Sequence, residues 1–177
     1  AERHDLDVET AKHVVFQAYD EIGQGDLRWY LPGYWFERFR LMDKLDYALN
    51  EAGRLIEAYE DALEFFESVP DHVLLVLSTS AAREFVNLVF SRVTPLKEKF
   101  IRVFSSSSDF SFPGKPPEFF KAIQRELKAK PQEILHVGDD PESDYVNPMK
   151  AGLRALLVSR DGKYDGVESL GDILRFI

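Results

Sequence analysis

The sequence has no cysteine, which excludes a disulfide framework, a thiolate nucleophile and a cysteine-ligated zinc site. It also lacks any apolar run near the roughly 18 residues that a membrane-spanning helix needs. No apolar signal-peptide core opens the chain. We therefore expect a cytoplasmic protein that makes no contact with a membrane.

Basic residues are fewer than acidic ones. The sequence has 22 lysines and arginines and 31 aspartates and glutamates, which gives a formal net charge of −9. An acidic chain repels a phosphate backbone, so we expect no nucleic-acid partner. Apolar residues make up 45% and aromatics 13%, ample for a core, and 177 residues suit one domain with at most a small insertion. We expect a monomer or a homodimer.

The first fifty residues show helical spacing and no convincing strand. Apolar side chains recur three and four residues apart over residues 8–22 and again over 34–51, which predicts a helix in each. Residues 26–36 lie between them, are rich in aromatics and are broken by Pro32 and Gly33, which predicts a loop.

From residue 54 onward, apolar strand-like segments alternate with helical patterns. Strands are predicted at 72–77, 100–104, 133–137 and 154–158, and helices at 54–69, 81–92, 116–129 and 167–177. Repeated strand and helix predict an α/β fold, a Rossmann-like three-layer α/β/α sandwich with a parallel sheet.

Polar residues follow these strands at the sheet edge where ligands of parallel sheets bind. They are Ser78, Thr79 and Ser80, then Ser105 to Ser108, and finally Asp139, Asp140 and Asp144. Lys115 precedes a predicted helix. Taken singly, these residues are ordinary helix caps, turn residues or a surface lysine. Their occurrence together at one edge favours a functional site.

Three segments resemble motifs of the haloacid dehalogenase-like (HAD) superfamily of hydrolases. The strand VLLVLS ending in Ser78 resembles its second motif, and GKPPEFFKAI with Lys115 resembles its third. The segment ILHVGDDPESDYVNPMKAGL, with Asp139 and Asp144, resembles its fourth. The resemblance implies a HAD-like core over residues 54–177, with residues 1–53 as a small helical cap.

The resemblance implies a Mg²⁺-dependent phosphatase that acts on a small phosphorylated metabolite. Ser78 would donate to phosphate oxygens, Lys115 would stabilise their charge, and Asp144 would anchor Lys115. Asp139 would bind Mg²⁺, with Asp140 as a competing ligand.

Further substrate contacts are predicted on both parts of the chain. Backbone N–H groups at Thr79 and Ser80 would bind phosphate. Arg28 and Arg38 in the cap would close over an anionic substrate. His136 lies in an apolar strand and is interpreted as a core residue.

The family's first motif, an apolar strand ending in Asp-x-Asp whose first aspartate is the nucleophile, is not recognisable. Asp5 and Asp7 have the spacing, but four polar residues before them cannot make a strand, and we interpret them as acids at a helix start. We expect the strand to lie upstream of residue 1. A strand from another segment or chain, or a rearranged sheet, stays open.

Two other functions remain as alternatives. A haloacid dehalogenase uses an aspartate nucleophile without metal, and the acids at 139, 140 and 144 disfavour it. A catalytically silent binding module would retain the fold without the nucleophile, and the missing first motif favours it.

Overall fold

The computed structural model describes residues 4–94 and 96–177, which form nine α-helices and four strands. The helices are α1 (Val8–Ile22), α2 (Pro32–Arg38), α3 (Leu45–Gly53), α4 (Glu60–Ser68), α5 (Arg83–Arg92), α6 (Leu96–Lys99), α7 (Ser106–Phe110), α8 (Pro117–Leu127) and α9 (Asn147–Lys150). The strands are β1 (Val76–Thr79), β2 (Arg102–Ser105), β3 (Leu135–Gly138) and β4 (Arg154–Leu157). Residues 1–3, where the predicted cap segment begins, lie outside the described residues.

Residues 4–59 form helices and turns and contain no strand. Helix α1 has its predicted bounds because local signals define both ends. Asp7 accepts a hydrogen bond from the Thr10 N–H at 2.8 Å, and Gly23 ends the helix at φ +69°. The single helix predicted over 34–51 is wrong. Arg40 adopts φ +53°, in the left-handed region that ends helices, and separates α2 from α3.

An aromatic cluster holds together the helices of residues 4–53, which we call the helical segment. The ring of buried Trp35 meets the Tyr19 ring edge-on, with 4.4 Å between their centroids. The Trp35 indole N–H donates to the Trp29 carbonyl at 3.1 Å. These contacts join α1, the 3₁₀ turn Leu27–Tyr30 and α2.

The strands form two separate parallel pairs. Strand β1 pairs with β2, and Ser78 lies opposite Phe104. Strand β3 pairs with β4, and Gly138 lies opposite Leu157. Within the described residues, no backbone ladder joins β1 to β3. Each of these two strands therefore has one edge without a strand partner.

Other predicted elements also differ in extent from those observed. Strand β1 begins at Val76 rather than at residue 72, because its partner β2 is only four residues long and limits the ladder. Ser78 and Thr79 are therefore the last residues of β1 and do not follow it. The helix predicted at 167–177 is only a 3₁₀ turn, Gly171–Arg175.

Helices cover both faces of the strands, which confirms the predicted three-layer Rossmann-like α/β/α fold. On one face, Phe119, Phe120 and Ile123 of α8 pack with Phe104 of β2. On the other face, Phe65 of α4 packs with Val158 and Ile173. Full burial of one such side chain stabilises the folded state by about 2 kcal/mol.

No helix in residues 4–94 and 96–177 combines the length and apolarity required to cross a bilayer.

Candidate active site

The predicted site residues Ser78, Lys115 and Asp144 come from three different elements and lie in one connected group. Ser78 is at the end of β1, Lys115 precedes α8, and Asp144 lies in the π-helical turn Pro141–Val146. His136 of β3 connects them. Its Nε2 is 2.7 Å from Asp144 Oδ1 and its Nδ1 is 3.4 Å from Ser78 Oγ.

The Lys115 ammonium donates to Asp144 Oδ1 in a buried ion pair. The side chains are only 13% and 3% exposed, respectively. Burial by itself would raise the pKa of the Asp144 carboxyl, but the His136 hydrogen bond and the nearby charge of Lys115 lower it to about 2. Asp144 is therefore an anion at neutral pH and holds the lysine charge in place.

Close backbone packing positions Asp144. Its Oδ2 accepts a hydrogen bond from the Asp140 N–H at 3.2 Å. A Cβ atom at Gly138 would stand 2.6 Å from that same oxygen, so only glycine fits beneath the carboxylate. Gly138 at the end of β3 is thus required by packing.

The loop that carries Lys115 is held by the four consecutive serines at 105–108, the serine run. Gly114 adopts φ +65°, a conformation that favours glycine, and its carbonyl accepts a hydrogen bond from the Ser106 hydroxyl. Ser106 is fully buried. The turn before Lys115 is therefore attached directly to the end of β2.

Two other serines of the run form hydrogen bonds to the residues that directly follow β1. The Ser105 hydroxyl donates to the Ala81 carbonyl at 2.7 Å, and the Ser107 hydroxyl donates to the Ser80 carbonyl at 2.9 Å. Thr79 Oγ1 accepts from the Ala81 N–H at 3.1 Å. Buried hydroxyls with such partners hold loops in a fixed arrangement. The serine run thus supports the segment containing Ser78, Thr79 and Ser80.

The two predicted metal ligands have different surroundings. Asp139 is exposed at the end of β3 and lines a cavity of about 290 Å³ with Ser159, Arg160 and Lys163. Asp140 turns back, and its Oδ1 accepts a hydrogen bond from the Ser143 N–H at 2.6 Å. Among the described residues, no group of three or more acidic or histidine side chains is arranged to hold a metal ion.

The predicted substrate arginines are paired with carboxylates of the helical segment. Arg28 contacts Asp26 at 2.7 Å, and Arg38 contacts Glu21 at 2.5 Å. The structure does not bring either arginine into the group around Lys115.

Tyr30, in the 3₁₀ turn Leu27–Tyr30, lies close to the loop that carries Lys115. Its hydroxyl would lie 3.2 Å from a Cβ atom at Gly114, next to Lys115. Burial and the charge of Asp140 raise the pKa of the Tyr30 phenol. The sequence favoured Arg28 and Arg38 over Tyr30 and the other aromatics nearby, because the proximity of Tyr30 to Gly114 depends on how the two segments pack together.

Known proteins match this chain in sequence. The family model described as haloacid dehalogenase-like hydrolase matches residues 12–146, well over half of the chain. A curated relative, the phospholysine phosphohistidine inorganic pyrophosphate phosphatase of Xenopus laevis, is 50% identical over 52 residues. That match covers 29% of this chain and 19% of the relative, so it spans about a fifth of the relative's length.

Solved structures resemble the whole chain. A HAD phosphatase from Thermococcus onnurineus superposes with a TM-score of 0.84 at 19% identity, covering 99% of this chain and 83% of that one. A HAD family enzyme from Bacteroides thetaiotaomicron, in complex with magnesium and inorganic phosphate, has a TM-score of 0.64 at 16% identity, covering 89% and 87%. A 2-haloacid dehalogenase from Pseudomonas syringae has a TM-score of 0.66 at 16% identity, covering 96% and 80%. At these identities the likeness establishes a shared fold.

Proposed function

The chain belongs to the haloacid dehalogenase-like hydrolases, and we propose that it is a Mg²⁺-dependent phosphatase of a small phosphorylated metabolite. The buried Lys115–Asp144 ion pair at the strand ends carries this proposal. A fixed ammonium beside a strand-end hydroxyl is suited to an anionic phosphoryl group. The Xenopus relative is named as a phosphatase, and the Bacteroides neighbour was solved with magnesium and phosphate.

The residues of the group take distinct parts in this proposal. The Ser78 hydroxyl and the N–H groups of Thr79 and Ser80 donate to phosphate oxygens. Lys115 stabilises the negative charge that moves through the transition state, and Asp144 keeps its ammonium in position. These groups bind and orient the substrate without forming covalent bonds.

Asp139 is the proposed Mg²⁺ ligand, and Asp140 could add its second oxygen. In the described part of the chain, no hydrogen bond or ion pair holds the Asp139 carboxylate, and it is exposed. A free hard oxygen of this kind fits Mg²⁺, which binds few protein ligands and keeps several waters. The ion would neutralise charge on the phosphoryl oxygens.

The nucleophile of the proposed reaction is an aspartate on a strand between β1 and β3. Each of these strands has an edge without a strand partner among the described residues, and Ser78 Oγ of β1 lies 3.4 Å from His136 Nδ1 of β3. Asp5 is an unsuitable candidate because it is exposed in a turn before α1 and does not end a strand. In this proposal the strand ends with its aspartate beside Lys115.

Residues 1–53 are the proposed cap, and residues 54–177 are the proposed core. Tyr30 brings the helical segment close to Lys115. Arg28 and Arg38 would have to leave Asp26 and Glu21 to contact a substrate. Their role in substrate binding stays a prediction.

The proposal is tested by phosphate release from a panel of metabolite phosphates, using protein expressed from its complete reading frame. We expect turnover that requires Mg²⁺, stops in EDTA and falls by orders of magnitude in Asp139→Asn. Glu142→Gln, an exposed acid nearby, is the matched control and retains full activity.

Other results would support the alternatives. Undiminished phosphate release in EDTA would overturn the metal assignment. Halide release from 2-haloacids without phosphate release would identify a dehalogenase. A folded protein that turns over neither substrate would be a binding module.

A further inference from the structure

His136 is a buried histidine that the proposed mechanism does not use, and it lies between two proposed site residues, Asp144 and Ser78. His136 lies on β3, and its side chain is 9% exposed. Its two ring nitrogens face Asp144 Oδ1 at 2.7 Å and Ser78 Oγ at 3.4 Å. We infer that His136 is a positioning residue that fixes the Asp144 carboxylate and, through it, the Lys115 ammonium. This inference rests on the proposed phosphatase function for its kinetic consequence, but its structural part does not.

The hydrogen-bond directions follow from the charge of Asp144. The carboxyl is paired with the Lys115 ammonium in a buried ion pair, so it is a carboxylate and only accepts hydrogen bonds. His136 Nε2 must therefore carry the proton and donate it to Oδ1. The other ring nitrogen, Nδ1, lies 3.4 Å from the Ser78 hydroxyl oxygen.

Two donors on one oxygen restrict the rotation of the carboxylate. Asp144 Oδ1 accepts from both Lys115 and His136, while Oδ2 accepts from the Asp140 N–H. Without the imidazole, Oδ1 would have only the flexible lysine chain as a partner. The carboxylate could then follow the lysine, and the ammonium would lose its fixed position.

Packing alone does not call for histidine at this position. One face of the ring contacts Phe120 of α8, with 4.8 Å between centroids, and phenylalanine would serve that contact equally well. The neighbouring strand residues Leu135 and Val137 point to the opposite face, where they pack with apolar residues. A polar ring costs free energy when buried unless its nitrogens have partners. Here both partners are proposed site residues.

The test compares two substitutions of similar size. His136→Gln places an amide N–H where it can reach Asp144, whereas His136→Phe retains the contact with Phe120 and removes the donor. The first measurement is the rate at which acetic anhydride acetylates Lys115, read by peptide mass spectrometry. Lys150, whose side chain is 57% exposed, serves as the reference within each sample. Thermal unfolding establishes that each variant is folded at the labelling temperature.

We expect Lys115 to react about tenfold faster in His136→Phe than in wild type, as loss of one charge-assisted hydrogen bond predicts, and His136→Gln to restore most of the protection. An unchanged Lys115 rate in folded His136→Phe would overturn the inference. Equal acceleration in both variants would also overturn it, because disturbed packing would then be the cause.

The second measurement is phosphate release by the same variants of the complete protein. We expect kcat of His136→Phe to fall about tenfold with KM changed by less than about threefold, and His136→Gln to recover most of kcat. A rise in KM with kcat unchanged would contradict the positioning role. If wild type releases no phosphate, the proposed function fails, while the Lys115 labelling still decides the role of His136.

Discussion

Lys115 and Asp144 are 29 residues apart in sequence, and the fold brings the ammonium of one onto a carboxylate oxygen of the other. Lys115 precedes α8, and Asp144 follows β3. The pair therefore connects two segments that are distant in the sequence. Breaking it should affect both stability and reaction rate.

Asp144→Asn should lower the free energy of unfolding by about 3 kcal/mol, because it leaves a buried ammonium without its counter-charge. Urea denaturation measures the change. The control is Glu142→Gln at the exposed Lys150–Glu142 pair, which should cost less than about 1 kcal/mol. Equal losses in both variants would show that burial adds nothing to the Lys115–Asp144 pair.

The same carboxylate makes stability depend on acid pH. Its pKa is 3.8 when unperturbed and about 2 in the fold, so the unfolded chain binds the proton more tightly. The stabilisation is fully present above about pH 5 and is lost as the pH falls from 3.8 through about 2. The stability difference between wild type and Asp144→Asn should therefore shrink by about 2 kcal/mol over this range. A difference independent of pH would contradict the lowered pKa.

Gly138→Ala should displace Asp144, because the new Cβ would lie 2.6 Å from its Oδ2. We expect a loss of about 2 kcal/mol in unfolding free energy, as overpacking of a rigid site predicts. Gly25→Ala is the matched control, since nothing lies within 4 Å of its added Cβ. Matching stabilities of the two variants would show that Asp144 can move without cost.

Gly114→Ala tests the approach of Tyr30 to the Lys115 loop. Gly162 has nearly the same φ, +67° against +65°, but nothing lies within 4 Å of its added Cβ. Both alanine variants lose about 1 kcal/mol to the left-handed backbone. We expect Gly114→Ala to cost about 1 kcal/mol more, because its Cβ meets the Tyr30 hydroxyl.

A Tyr30→Phe background removes the hydroxyl and should bring Gly114→Ala close to the cost of Gly162→Ala. Urea denaturation of the two alanine variants, with and without Tyr30→Phe, measures this coupling. If the extra cost persisted in the Tyr30→Phe background, the contact between the helical segment and the loop would have another origin.

Local signals in the sequence were sufficient to predict the bounds of some elements. Helix α1 was predicted with its observed ends, because Asp7 and Gly23 define them within the helix's own neighbourhood. The extent of β1 could not be predicted in this way. It depends on the length of β2, 26 residues further along, and an apolar run alone does not reveal its partner.

The candidate site was predicted only in part for the same reason. Motif resemblance pointed to Ser78, Lys115 and Asp144, and the fold places these three residues in one group. His136 was interpreted as a core residue, and its burial agrees with that. Its hydrogen bond to Asp144 depends on the π-helical turn that folds back over β3, which no local pattern encodes.

The proposal that Lys115 acts on a phosphoryl group is tested most directly by kcat of Lys115→Ala in the complete protein with Mg²⁺. The control is Lys150→Ala, which removes an exposed lysine charge. We predict that kcat for a phosphomonoester falls at least about 10²-fold in Lys115→Ala, as expected when a charge-stabilising group is removed, and stays at the wild-type value in Lys150→Ala. Wild-type turnover by a folded Lys115→Ala variant would contradict the account.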